Sequence, residues 1–480
     1  MSKFYVTTAI PYVNDVPHLG HAMEFVYADV LARYHRQIGD KPVLFCTGTD
    51  EHGSKIVEKA QSSGIGVKEF VQKNTDTFKQ LLADLNITNN KFVRTTDENH
   101  GRRAQIIWQN LSDYIYKNKY VGMYCVGCEE YVSETVAKEN GGVCPIHKRP
   151  YERLEEENYF FALSKFNSQI LEAIKTGAYK VIPDTKKHEV LRLLEDGLDD
   201  ISISRPKDKL SWGIAVPGDK TQVMYVWFEA LLNYITALDY PDGQEFKVFW
   251  PADVQVIGKD ILRFHAAIWP GILLGLELPL PKILYVHGFV YIDGVKMSKS
   301  LGNVVAPSDI IKKYSADVFR YYFMRHIPSY GDGDFTWDRI EIVYNSELAN
   351  ELGNAVGRVA AMVSKYQNNV IGVIPEPVHD MHDYHQAIAD CRFDKALDAV
   401  WEQVRGLNQY IDVEKPWVIA KLGDDSHLQE VLAYCVGCLL EIAELLVPFM
   451  PDTASKIQSL FAEGLVSPLD GPLFPKDEIK

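Results

Sequence analysis

Apolar and polar positions follow two different rhythms in the first part of this chain, and the order of those rhythms sets the fold. Residues 4–10, Phe-Tyr-Val-Thr-Thr-Ala-Ile, are an unbroken run of β-branched, aromatic and small side chains, the pattern of a strand buried on both faces. Pro11 and Pro17 bracket a turn. From Leu19, apolar residues return at Met23, Val26, Val30 and Tyr34, one stripe of a helix that stops at Gly39. Val43–Thr47 reads as the next strand. Strand, helix and strand in that order predict a right-handed βαβ unit in a parallel sheet.

Helical periodicity recurs near 66–85 and 100–118. After Tyr120 the texture changes to cysteine, glycine and charge until residue 155, and residues 156–222 are mixed. Strand-like runs at 223–228 and 254–257, a helix near 260–275 and a strand at 283–287 make the sheet resume after an insertion. From 340 onward the pattern is helical, apart from a Pro-containing break at Ile371–Val378. The fold class that follows is α/β, a Rossmann-like parallel-sheet domain split by an insertion and followed by an all-α bundle. There is no internal repeat and no low-complexity tract.

Composition narrows the class further. A length of 480 residues fits two to four domains, and 46% apolar with 24% charged residues is ordinary for a globular chain. No apolar run approaches the roughly 18 residues a membrane span needs. The first strand begins too early to leave room for a signal peptide. Seven cysteines, an odd number, suit reduced thiols and metal ligation in the cytoplasm better than a disulfide framework. The net charge of −15 argues against non-specific nucleic-acid binding. Residues 346–480 hold 10 Lys+Arg against 21 Asp+Glu, a balance of −11, so any nucleic-acid contact there needs a local positive patch.

Three short constellations carry candidate chemistry. Lys296-Met297-Ser298-Lys299-Ser300 places two lysines and two hydroxyls in a Gly-flanked segment, which suits a loop that closes over a polyphosphate and neutralises developing charge. The commonplace alternative is a solvated surface loop. His18-Leu19-Gly20-His21 opens the first helix, where unpaired N–H groups and the dipole favour phosphate. His18 and His21 share one face of the first turn, and Gly20 lets a flat ring lie against the backbone. Alone, the tetrapeptide reads equally as two histidines capping a helix. Cys125-Val-Gly-Cys128 and Cys144-Pro-Ile-His147 form two ligand pairs on short turns, the spacing of a tetrahedral zinc site. Three thiolates and one imidazole leave no open position, which points to structural zinc. Cys46, Cys391, Cys435 and Cys438 read as buried small residues.

The histidine tetrapeptide and the lysine pentapeptide together resemble the two signature sequences of class I aminoacyl-tRNA synthetases. The whole chain resembles the methionyl-tRNA synthetase family, in the branch with a single zinc knuckle. The matching stretches are Ala9–Tyr12, Thr49–Gly53, the cysteine knuckle, Tyr225–Ala230, Gly258–Ile261 with Phe264-His265, His287–Phe289, Asn354–Arg358 and Lys415–Trp417. Glu229 stands where many relatives have aspartate.

That resemblance implies ATP-dependent ligation of L-methionine to tRNA(Met), including the initiator, through a methionyl-adenylate, with release of pyrophosphate and AMP. It implies Asp50 as the partner of the methionine ammonium. Ile10, Tyr12, Trp227, Ala230, Leu231, Tyr234, Ile261 and His265 would line the pocket, with Tyr234 able to donate to the thioether. It assigns Glu24, Gly258 and Asp260 to the adenosine side, with Gly20 beside them. His18, His21 and Lys299 fall at the triphosphate, which brings Mg2+ with it, and Lys296 joins these three as catalytic. Asn354, Arg358 and Trp417 match anticodon-reading residues, within an expected positive patch around Arg358. The domains expected are 1–115 and 223–290 for the two catalytic halves, and 116–222 for the connective insertion with its knuckle at 121–150. Residues 291–345 would carry the lysine loop and linking segment, and 346–480 the anticodon-binding bundle. No appended dimerisation domain follows, so a monomer with no membrane contact is expected.

Rival readings differ in what they would need. A synthetase for valine, leucine or isoleucine would carry a longer editing insertion, and a cysteine enzyme would put its zinc at the substrate. A non-catalytic RNA-binding paralogue would not need the histidines, Lys299 or Asp50. A small-molecule nucleotidyltransferase would have no use for the helical third.

Overall fold

The computed structural model describes residues 3–39, 41–125, 130–132, 134–146, 148–296, 305–375, 380–468 and 471–476. The chain divides into two compact units. The first comprises Met1–Pro17, Gly39–Leu82 and Thr88–Val286, and the second His18–Ile38, Ala83–Ile87 and His287–Lys480.

In the first unit the expected parallel sheet is present. Strands β1 (Phe4–Thr8), β2 (Val43–Thr49) and β3 (Lys91–Arg94) lie in the order β3-β2-β1, followed by Val254–Gly258, Ile283–His287 and Lys180–Ile182. β1 is buried at every position, and its Val6 lies level with Phe45 on one side and Val254 on the other. Both neighbours run parallel to it, as a sheet covered on both faces requires. Strand order reverses between β1 and Val254–Gly258, so the connections leaving their carboxyl ends run in opposite directions and leave a crevice there. Gly48 is required where β2 meets β3, since a Cβ there would sit 2.1 Å from the Val93 carbonyl oxygen.

Three local expectations change. Helix Glu98–Asn110 ends well before residue 118, and Ile115–Cys125 is strand β4. β4 pairs antiparallel with Glu152–Phe161 from Ile115↔Phe161 through Tyr124↔Glu152. A partner that far along the chain leaves no mark on local periodicity. Residues 223–228 do not join the parallel sheet. Asp219–Met224 pairs antiparallel with Ala215–Val216 and Ser204–Pro206, and Val226–Leu231 is helical. Its Val226 and Phe228 are buried by tertiary packing, which overrides their strand preference. Within 116–222, the three residues Lys180–Ile182 form an edge strand of the parallel sheet.

The second unit is organised around α1 (Leu19–Gln37), in which every residue from Ala22 to Ala32 is buried. A helix surrounded on all sides buries more than one apolar stripe, and its two acidic residues there, Glu24 and Asp29, each meet a basic partner. Val295–Lys296, Val290–Ile292 and Gly333–Phe335 form a small sheet. A long helical run then winds as α over Trp337–Val343, π over Tyr344–Gly353 and α over Asn354–Gln367. Helices Phe393–Glu414, Pro416–Leu422, Asp425–Leu446 and Pro451–Leu460 follow. The expected break falls between Gln367 and His382, with residues 376–379 outside the described set.

Candidate active site

Beyond the sheet, the ends of β1 and β2 stay joined. The Asp50 N–H donates to the Pro11 carbonyl at 2.9 Å and the Val13 N–H to the Asp50 carbonyl at 3.1 Å, which makes a parallel bridge of Tyr12 and Asp50. Asp50 is therefore fixed at the crevice, and it is buried. Its carboxylate lies 3.5 Å from the His52 N–H and 3.4 Å from the Thr95 hydroxyl. The residues beside it are locked. Glu51 accepts from Thr49 at 2.8 Å, Thr75 at 2.7 Å and Arg94 Nε at 2.8 Å, and also from Thr96.

Aromatic side chains stand in the same unit. Trp227, half-buried on helix Val226–Leu231, stacks on Phe264 with ring centroids 3.9 Å apart. Ala230, Leu231, Tyr234 and His265 are buried, whereas Ile10, Tyr12 and Ile261 are partly exposed. Phe264–Ile268 winds as a π-helix, a local irregularity often found at sites. His265 Nδ1 lies 3.0 Å from the Ile261 carbonyl and must donate to it, so Nε2 accepts from the Tyr234 hydroxyl at 2.6 Å. Burial pushes this imidazole down to about 4, which keeps it neutral. The single Tyr234 proton is thus committed to His265, and the donation to a thioether expected from sequence is not available in this arrangement. Gly258 is buried at the end of its strand and Asp260 is exposed just beyond it.

In the second unit, His18 caps α1. Its Nδ1 accepts from the N–H groups of Gly20 at 3.1 Å and His21 at 3.4 Å, while His21 Nδ1 accepts from the His18 N–H at 3.3 Å. Each ring therefore carries its proton on Nε2, turning a donor away from the helix end. The rings stack with centroids 3.7 Å apart. A Cβ on Gly20 would lie 3.0 Å from His18 Cε1, so the ring that lies against this glycine here is that of His18. Desolvation, then the His18 and His287 imidazoles, hold His21 well below the usual histidine value. Glu24 meets His287 Nε2 at 2.9 Å, and His287 Nδ1 donates to the Gly288 carbonyl at 2.8 Å. Lys296 closes the strand Val295–Lys296, and Lys299 lies outside the described residues.

Further along this unit, Arg358 donates to Asp412 at 2.8 Å, with its guanidinium 5.7 Å from the Trp417 ring centre. The positive patch expected around Arg358 thus contains a carboxylate. A cavity of about 720 Å³ is lined by Asn350, Asn354, Arg358, Phe474 and Lys476, among others.

Of the four ligands expected in the cysteine knuckle, Cys128 and His147 lie outside the described residues. Cys125 and Cys144 are buried in a cluster completed by Ala137 and Tyr151. The turn after Cys144 is tight: the Lys148 N–H returns to the Cys144 carbonyl at 2.8 Å. So small an apolar cluster suits a segment closed by a metal. Sequence reasoning gave no role to Glu51, Arg94, Phe264 or His287. Each acts through a partner distant in the chain, although Glu51, Phe264 and His287 stand inside stretches already singled out.

Comparison with known proteins fits this arrangement. Residues 4–153 and 140–360 match the family described as tRNA synthetases class I (M). The methionine–tRNA ligase of Thermotoga maritima is 40% identical over 95% of this chain and 74% of its own. That of Streptomyces coelicolor is 42% identical over 96% and 90%. Mycobacterium tuberculosis methionyl-tRNA synthetase in complex with methionyl-adenylate superposes with a TM-score of 0.92 at 33% identity, covering 99% of this chain and 100% of that one. The chain belongs to the methionyl-tRNA synthetase family of class I tRNA synthetases.

Proposed function

We propose that this protein ligates L-methionine to tRNA(Met) at the expense of ATP, through a methionyl-adenylate. The observation that carries this reading is the buried Asp50 carboxylate, fixed at the crevice of the parallel sheet by the bridge to Tyr12, in a unit that also offers Trp227 and Tyr234 as pocket walls. Asp50 takes the ammonium, and Ile10, Tyr12, Trp227, Ala230, Leu231, Tyr234, Ile261 and His265 surround the flexible thioether.

A carboxylate oxygen of methionine attacks the α-phosphorus in line, forming the acyl–phosphate bond as the bond to pyrophosphate breaks. No general base is required, because the nucleophile is already ionised. Positioning and charge stabilisation carry the step. His18 and His21 present their Nε2–H groups to the phosphates as neutral donors, Lys296 and Lys299 supply positive charge, and Mg2+ arrives with ATP. Gly20, Glu24, Gly258 and Asp260 hold the nucleoside. A terminal ribose hydroxyl of the tRNA then attacks the adenylate carbonyl and AMP leaves. Asn354, Arg358 and Trp417 read unstacked anticodon bases in the helical domain. Cys125, Cys128, Cys144 and His147 hold a structural zinc that closes the knuckle of the insertion. The enzyme works as a cytoplasmic monomer; among the described residues no helix is long and apolar enough to cross a membrane.

The test is ATP–pyrophosphate exchange with each amino acid in turn. Exchange with methionine is expected; exchange with another amino acid and none with methionine would overturn the reading.

A further inference from the structure

The π turn Phe264–Ile268 runs directly into a proline. In π winding each N–H reaches the carbonyl five residues back, and the Trp269 N–H does so, meeting the Phe264 carbonyl. The next bond in that register would run from residue 270 to the His265 carbonyl. Residue 270 is proline and has no N–H to give. His265 is buried, and a buried carbonyl left without a donor is costly. The donor comes from another segment: the Tyr179 hydroxyl meets the His265 carbonyl at 2.9 Å.

Tyr179 is built to hold that carbonyl still. It is wholly buried, its N–H is bonded to the Ala173 carbonyl at 3.0 Å, and the Lys180 N–H to the Lys282 carbonyl at 2.9 Å. Lys180 opens the edge strand of the parallel sheet, so the phenol stands on a fixed backbone. Burial holds its pKa far above the ordinary value, and it keeps the proton it donates. The His265 ring is bound at both nitrogens, to the Ile261 carbonyl and to the Tyr234 hydroxyl. Where that ring stands against Tyr234 therefore depends on the backbone at 265. The Tyr234 carbonyl is held by the same device, the buried Tyr5 hydroxyl at 2.9 Å. We propose that Tyr179 is a positioning residue for methionine: it supplies the hydrogen bond that Pro270 denies His265 and thereby fixes the Tyr234–His265 wall of the pocket. The expected insertion, residues 116–222, thus takes part in amino-acid binding through Tyr179. The inference rests on the reading of Tyr234 and His265 as pocket walls.

Tyr179→Phe removes the hydroxyl and keeps the ring. ATP–pyrophosphate exchange should show KM for methionine raised about tenfold, the scale of one buried hydrogen bond, with KM for ATP within about twofold and kcat little changed. Pro270→Ala restores an N–H where the π register needs it, and so makes the hydroxyl dispensable. Pro270→Ala and the double variant Tyr179→Phe/Pro270→Ala should share a KM for methionine near that of wild type. A folded Tyr179→Phe with unchanged KM for methionine, or with both KM values raised equally, overturns the proposal. So does a gap of about tenfold between Pro270→Ala and the double variant, since the two changes must couple if they act on one carbonyl. This last comparison decides the matter if Tyr179→Phe alone does not fold. His265→Ala separates the two levels. If it leaves KM for methionine unaltered, the pocket reading falls and the inference with it. If it raises that KM while Tyr179→Phe does not, the inference alone falls.

Discussion

Arg320 and Asp29 form an ion pair of 2.8 Å in which neither side chain reaches solvent. Arg320 also donates to the carbonyls of Phe449 at 2.8 Å, Pro448 at 2.7 Å and Leu85 at 3.2 Å, while Arg33 Nε holds Asp29 at 2.7 Å. One guanidinium thus ties α1, which begins at the signature histidines, to helix Ala316–Arg325 and to the turn after Asp425–Leu446. Removing one partner of a buried pair leaves the other uncompensated, at a cost of about 3–5 kcal/mol. Arg320→Met should lose that much in urea unfolding, because three carbonyls also lose a donor. A loss below about 1 kcal/mol would show that water or Arg33 substitutes for it.

His265 makes stability depend on pH in a defined window. Its folded value is about 4, against about 6.5 for an exposed histidine. Between pH 6.5 and pH 4 the unfolded chain holds a proton on this ring and the folded one does not, so stability falls as pH drops through that range. The loss from this group should approach about 3 kcal/mol at the lower end, and it is absent above pH 6.5. Urea unfolding of wild type and His265→Gln at a series of pH values isolates it. The two stability curves should converge as pH falls from 6.5 to 4, and parallel curves would contradict the assignment.

The same contrast between local and distant partners separates what the sequence disclosed from what it did not. β1, α1 and β2 were legible to within two residues, because burial of a strand or helix writes its period into adjacent positions. Residues 115–118, the start of strand β4, continue the helical pattern before them, since the partner Glu152–Phe161 that makes them a strand lies beyond the knuckle. Of the strand-like run 223–228, residues 226–228 are helical, because composition there reports burial of Val226 and Phe228 rather than backbone state. Asp50, Trp227 and His265 are reached through resemblance, whereas the buried contacts of Glu229 with His52 and His100 need three segments brought together by folding. Neither period nor motif spacing encodes such a meeting.

The knuckle can be tested through its metal. Cys144→Ser removes one soft ligand from the proposed set, and the buried cluster of Cys125, Ala137, Cys144 and Tyr151 is too small to hold the segment alone. Elemental analysis should find about one zinc per wild-type chain and almost none in the variant. Proteolysis should then cut within 121–150 in the variant first. Undiminished zinc content would exclude Cys144 as a ligand.

Trp417 lies beside Arg358, and its proposed work is to stack an anticodon base. Stacking of one base on an aromatic ring is worth about 1–3 kcal/mol, so Trp417→Ala should reduce kcat/KM for tRNA by about 10-fold to 100-fold. Methionine-dependent ATP–pyrophosphate exchange should stay within about twofold of wild type, since that half-reaction needs no tRNA. Equal losses in both assays would indicate damage to the fold rather than a lost base contact.

Lys299 is expected to act on the phosphates and not on the amino acid. Its charge is needed as pyrophosphate departs, when negative charge grows on the bridging oxygen, and less so while ATP and methionine merely bind. Loss of a single such electrostatic contact typically costs about 100-fold to 1,000-fold in kcat. Lys299→Ala should show that fall in pre-steady-state adenylate formation with KM for methionine within about twofold. Transfer from preformed methionyl-adenylate to tRNA should proceed at a near wild-type rate, because pyrophosphate has already left. A raised KM for methionine with unaltered kcat would place Lys299 in the amino-acid pocket and overturn this assignment.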